Sequence, residues 1–281
     1  MCAPFRCRRP GDLSSGPVTS QSAAPDPAAH LATMPAVAEA VARARSAVDD
    51  LRGHRVLRRS ADRVAAESAL RGARASAALA GADVPLDVLR AALAPPLELA
   101  EQLAEVDTGV VQGALRVAAE IGPLRPTWSH APLQVVARLH TLAAAGSVPD
   151  DELGRPAAGA ATRLSGLGQL LTAPSTAPAL VVAAVVHAEL ATMGAFAVGA
   201  GIVGRAAGRL TMLGRGLDPT AVSVPEVGHV ELGREVYLEA LAGYLRGGPD
   251  GVAAWVVHCA EAVVLGAREG VAICESIQRG A

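Results

Sequence analysis

The chain has 281 residues, enough for one large domain or two small ones, and 51% of them are hydrophobic while only 2% are aromatic. Its core is therefore mostly alanine, leucine and valine, of which alanine and leucine are strong helix formers. Twenty-five basic residues, every one an arginine, against 27 acidic ones give a net charge of −2; that offers no field for nucleic acid, and no basic stripe interleaved with aromatic residues is present.

Residues 1–33 are rich in Pro, Ser, Ala and Gly without periodicity and are expected to be a disordered tail. The tail holds arginines but no apolar stretch of the kind a signal peptide needs. Met34-Pro35 then opens a clean helical pattern, so Met34 reads as a candidate start of translation. From there a single all-α domain is expected over 34–281, with helices near 35–52, 60–80, 85–93, 97–105, 108–121, 131–145, 159–172, 177–192, 202–216, 230–246 and 250–278. Pro85 falls in a first helical turn, Ala131-Pro132 opens the next helix, and Gly146 follows Ala145 where a terminating glycine belongs. Asp250 is expected to cap the last helix. No hairpin signal occurs.

Cys2 and Cys7 lie in the tail, and Cys259 and Cys274 share one predicted helix. Fifteen helical residues separate that pair by about 22 Å, too far for a disulfide. None of the cysteines has zinc-site spacing. The longest apolar run, Ala179 to Val186, is too short to span a bilayer. A cytoplasmic protein without a membrane or nucleic-acid partner is expected, with homo-oligomerisation left open.

Residues 194–205, GAFAVGAGIVGR, carry the strongest signal in the chain. Gly199-x-Gly201-x-x-Gly204 spells a dinucleotide-binding fingerprint, which would make the protein an oxidoreductase. Asp218, 14 residues beyond Gly204, would be the acidic residue sought for the ribose. That mechanism needs a βαβ unit inside a parallel sheet. Only AFAV and Ala221 to Val224 offer themselves as strands, so this is the minor alternative.

The same twelve residues resemble the HPFxDGNGRxxR signature of Fic-domain nucleotidyltransferases. Leu139-His140, the helix VVAAVVHAELATMGAF with His187 and Leu190, the segment VSVPE at 222–226, and Tyr237 in REVYLEAL resemble further conserved pieces, in the family's order. Together these cover about residues 60–260 and imply a Fic-like helical bundle. In that family the motif histidine is the general base on the target hydroxyl, an acidic residue holds Mg²⁺, and the glycine turn with arginines receives the nucleotide phosphates. Here the histidine position is Gly194, the acidic position Val198, the asparagine position Ala200 and the first arginine position Ile202. Phe196, Gly199, Gly201 and Arg205 match.

The family's inhibitory helix, Ser-x-x-x-Glu-Gly, is resembled within 60–81 by Ser76 and Gly81, with Ala80 in place of the glutamate that pairs with the second arginine. The substrate-docking flap has no counterpart, since only PAAGAATR lies between Arg155 and Leu164. The resemblance thus implies a pseudoenzyme that no longer transfers AMP. It acts either as a nucleotide or phosphate binder through Gly199, Gly201 and Arg205, or as a protein-interaction module. ATP or another nucleotide is the cofactor to test, and no metal is expected. An enzyme of altered chemistry would have to draw a base from His187 or Glu189. Arg205 and Arg209 lie one turn apart, and a solvated face or carboxylate partners explain them as readily as phosphate does; the run Arg52 to Arg63 reads as a solvated helix face that could dock an acidic partner.

Overall fold

A computed structural model describes residues 26–93 and 108–280. Those residues form twelve α-helices: α1 (Pro27–Leu31), α2 (Pro35–Arg52), α3 (Leu57–Leu79), α4 (Leu86–Leu93), α5 (Thr108–Trp128), α6 (Pro132–Ala144), α7 (Ala161–Thr172), α8 (Ala179–Thr192), α9 (Ala200–Gly214), α10 (Pro225–Leu232), α11 (Arg234–Arg246) and α12 (Pro249–Arg279). A single 3-10 turn, Ala158–Ala160, precedes α7. Among the described residues there is no strand, only an isolated bridge between Ala145 and Val148. The helix expected at 97–105 lies outside the described residues.

Helix α9 is the axis of the fold. Every residue from Ile202 to Leu213 is buried, with α8 against it and α3, α5 and α6 around it. Its main partner α8, ALVVAAVVHAELAT, is apolar on all sides, the pattern of a helix enclosed by others. Missing side chains on α9 set the spacing: a Cβ on Gly204 would sit 2.7 Å from the His187 carbonyl, and one on Gly208 3.3 Å from that of Ala183. On the other side α12 packs on α2, α10 and α11. By length and composition α12 alone among the described helices could cross a membrane, but it serves here as a core helix with Trp255, Val256, Ala260 and Ile273 fully enclosed.

The helix limits depart from the sequence reading at definite points. The tail expected to run to residue 33 is ordered from Asp26: its carboxylate accepts from Ala29 N at 3.1 Å, from Ser175 Oγ at 2.8 Å and from Thr176 N at 3.2 Å, fixing α1 to the loop before α8. Helix α5 continues past residue 121, through Pro123 and Pro126, because Ile121 and Trp128 bury on one face. The stretch 230–246 is two helices, broken at Gly233, whose φ of +103° a side chain would strain. Gly248, not Asp250, occupies the N-cap of α12, and Asp250 lies in its first turn.

Candidate functional site

The residues resembling the signature form the turn between α8 and α9 and the first turns of α9 itself. Gly194, at the position of the histidine base, is exposed with φ +68°, and an added Cβ would meet nothing within 4 Å. Ala195 and Phe196 are buried. The Phe196 ring stacks on the His140 imidazole with centroids 4.0 Å apart and planes 10° from parallel. His140 Nδ1 accepts from Gly154 N at 2.9 Å, and the ring also bonds the Val198 backbone. Burial lowers the His140 pKa, with the Val198 bond opposing it. The short segment where the flap would be is tied down as well, since Ala157 N donates to the Ala195 carbonyl at 2.8 Å. The turn is thus held from two sides by α6 and by residues 154–157.

The three residues expected to receive a phosphate have specific structural surroundings. Gly199 is the N-cap of α9 in the left-handed region, φ +75°, and a Cβ there would lie 3.1 Å from that of Ala143 on α6. Gly201 leaves room for the guanidinium of Arg205, which a Cβ would approach to 3.2 Å at Nη1. Arg205 is only 5% exposed and points into the helix packing. Its Nε donates to Ser76 Oγ at 2.9 Å, Nη2 to the Ser76 carbonyl at 2.8 Å, and Nη1 to Tyr237 Oη at 3.1 Å. Where the resemblance places a glutamate pairing with this arginine, α3 has already ended: Ala80 is its C-cap, and Ser76 one turn earlier makes the contact.

Arg209, one turn on, is neither solvated nor aimed at the turn. Nη1 pairs with Glu226 at 3.0 Å, and Nη2 donates to the carbonyls of Ala221 and Ser223, each at 2.8 Å. Nε is without a partner among the described residues. The pair is buried, 4% and 7% exposed at the side chains. By contrast Arg52, Arg55, Arg58, Arg59 and Arg63 are exposed, in keeping with a solvated face.

The dinucleotide-binding reading of the three glycines has three observations against it. No sheet exists among the described residues to present the glycines to a dinucleotide. Gly204 serves helix packing against His187. Asp218 is 1% exposed, and its carboxylate accepts from Val222 N, Ser223 N and Ser223 Oγ at 3.2, 2.9 and 2.6 Å, capping the turn that leads into α10.

The residues considered as substitute bases are also engaged. His187 Nε2 lies 2.9 Å from Tyr237 Oη, and burial drives its pKa well below 6.5, with the Arg205 charge adding to that. Glu189 accepts from Arg163 Nε at 3.0 Å and from Tyr244 Oη at 2.8 Å. Burial, reinforced by Glu189, pushes the Tyr244 pKa upward.

Behind Arg205 the fold gathers five rings into one cluster. His187, His229, His258, Tyr237 and Trp255 make nine ring pairs with centroids 5.0–6.2 Å apart. Trp255 Nε1 donates to the Ala184 carbonyl at 2.7 Å and locks α12 onto α8. Of this group His187, Tyr237 and His258 stood out in the sequence, His258 as a hydrogen-bonded core histidine on an apolar helix, as it is here; His229 and Trp255 come from separate helices at spacings that form no motif.

No family model matches the chain, and no curated protein does. Among solved structures it is similar to a Fic family protein from Desulfovibrio desulfuricans G20, with a TM-score of 0.65 and 20% sequence identity over 85% of this chain and 74% of that one. The fold is that of an all-α, Fic-like protein.

Proposed function

We propose that this protein is a Fic-fold pseudoenzyme: a scaffold that no longer transfers AMP and acts as a protein-interaction module. One observation carries the reading. Arg205, the residue matching the arginine that would meet nucleotide phosphates, has Nε, Nη1 and Nη2 each donating to Ser76 or Tyr237 inside the helix packing. A phosphate would have to replace three buried hydrogen bonds to reach it, each worth about 1.5–3 kcal/mol at a charged donor. The base position supports the same reading, since Gly194 has no group to accept a proton. His187 is only 4% exposed, and the Glu189 carboxylate is held between Arg163 and Tyr244, so neither is presented as a base to a target hydroxyl.

The reading is tested by incubating the purified protein with α-labelled ATP, Mg²⁺ and cell extract. No transfer of label above a heat-inactivated control is expected. Transfer that depends on the native protein would overturn the proposal.

A further inference from the structure

The ring cluster behind α9 contains a donor set that the motif does not explain. His187 on α8, His229 on α10 and Cys259 on α12 are all buried, and one potential ligand atom from each lies within 4.8 Å of the other two. The three line a cavity of about 30 Å³ together with Met212. That volume suits one ion or water and excludes a nucleotide.

Each imidazole is held through one ring nitrogen. Tyr237 Oη lies 2.9 Å from His187 Nε2, and His258 Nε2 lies 3.0 Å from His229 Nδ1. Metal-ligating histidines almost always have their second nitrogen fixed in this way. Donor chemistry narrows the metal: two imidazoles and a thiol favour zinc or copper over a hard, oxygen-seeking ion. Charge narrows it further. Glu226 on the same cavity is already paired with Arg209, while the bonding partners of Arg205 are a hydroxyl, a carbonyl and a phenol. A divalent ion with one thiolate would add a net positive charge beside that guanidinium, whereas a monovalent ion with one thiolate adds none.

We propose that His187, His229 and Cys259 form a buried three-ligand site for a single Cu⁺ ion. Binding forms a Cu–S bond as the Cys259 thiol proton leaves to solvent, and copper keeps its oxidation state. The proposal is independent of whether the chain transfers AMP.

The test uses the full chain with Cys2, Cys7 and Cys274 changed to serine, leaving Cys259 as its one thiol. Under anaerobic conditions Cu⁺ is titrated in competition with a chromogenic chelator. One ion per chain is expected, with binding weakened at least tenfold by Cys259→Ser and by His229→Gln. Failure of the parent to compete, or equal binding by the Cys259→Ser variant, would overturn the site. Melting curves establish that each variant is folded. Should one unfold, X-ray absorption of the loaded parent decides: sulfur and imidazole scattering around copper supports the site, and scattering from oxygen and nitrogen ligands alone overturns it.

Discussion

Arg205 on α9 and Ser76 on α3 are joined by two hydrogen bonds, one to the serine hydroxyl at 2.9 Å and one to its carbonyl at 2.8 Å. The arginine belongs to the stretch resembling the Fic signature, and the serine to the stretch resembling the inhibitory helix. The bond therefore closes one resembled element onto the other without the glutamate that the resemblance would require. Ser76→Ala should remove the hydroxyl acceptor from a buried charged donor and destabilise the protein by about 1.5–3 kcal/mol. Urea denaturation measures this; a midpoint equal to that of the unchanged protein would count against the contact.

Arg209 and Glu226 make a second buried ionic link, between α9 and α10. Removing one partner of such a pair strands the other charge. Glu226→Ala is expected to cost about 3–5 kcal/mol, and Arg209→Met combined with Glu226→Leu far less. Equal losses in the single and double variants would show that the pair does not act as a unit.

Helix packing gives a contrast between two glycines. Gly204→Ala would place a methyl 2.7 Å from the His187 carbonyl and force α8 from α9, at a cost of about 1–3 kcal/mol. Gly166 on α7 is exposed with nothing within 4 Å of an added Cβ. There alanine should stabilise by about 0.5–1 kcal/mol through its helix preference. Thermal melting of the two variants should move in opposite directions.

Acid should unfold the metal-free protein through its ring cluster. Burial holds His187 and His229 well below 6.5 and His258 at about 4, so the folded state keeps these imidazoles neutral. Their depressed pKa values make the unfolded chain the better proton binder below pH 6.5. The stability associated with the neutral rings is complete above that pH and falls as pH drops toward the folded values, by about 1.4 kcal/mol per unit for each histidine. Urea midpoints between pH 7 and pH 5 should therefore decline, and His258→Gln should make the decline shallower. A flat profile would contradict neutral burial.

The helical class was legible because the apolar period runs unbroken through stretches such as α2 and α6, and because Pro132 and Gly146 mark the limits of α6. Gly233 also marked a boundary, but the flanking helical residues masked it. Prolines 123 and 126 misled in the opposite sense, since burial of Trp128 carries α5 through them. At the turn, Gly199 and Arg205 were identifiable from their spacing, yet spacing does not say which way a side chain points. The direction of Arg205 depends on Ser76 and Tyr237, at distances of 129 and 32 residues along the chain. The convergence of His187, His229 and Cys259 was hidden for the same reason, because three helices contribute one residue each.

If Arg205 is committed to the helix packing and the turn no longer receives a nucleotide, thermal melting with ATP and Mg²⁺ titrated into the millimolar range should leave the protein unchanged. A constant melting temperature is expected. A saturable rise would contradict it, since a functioning site at 100 times its dissociation constant adds about 2.7 kcal/mol of stability.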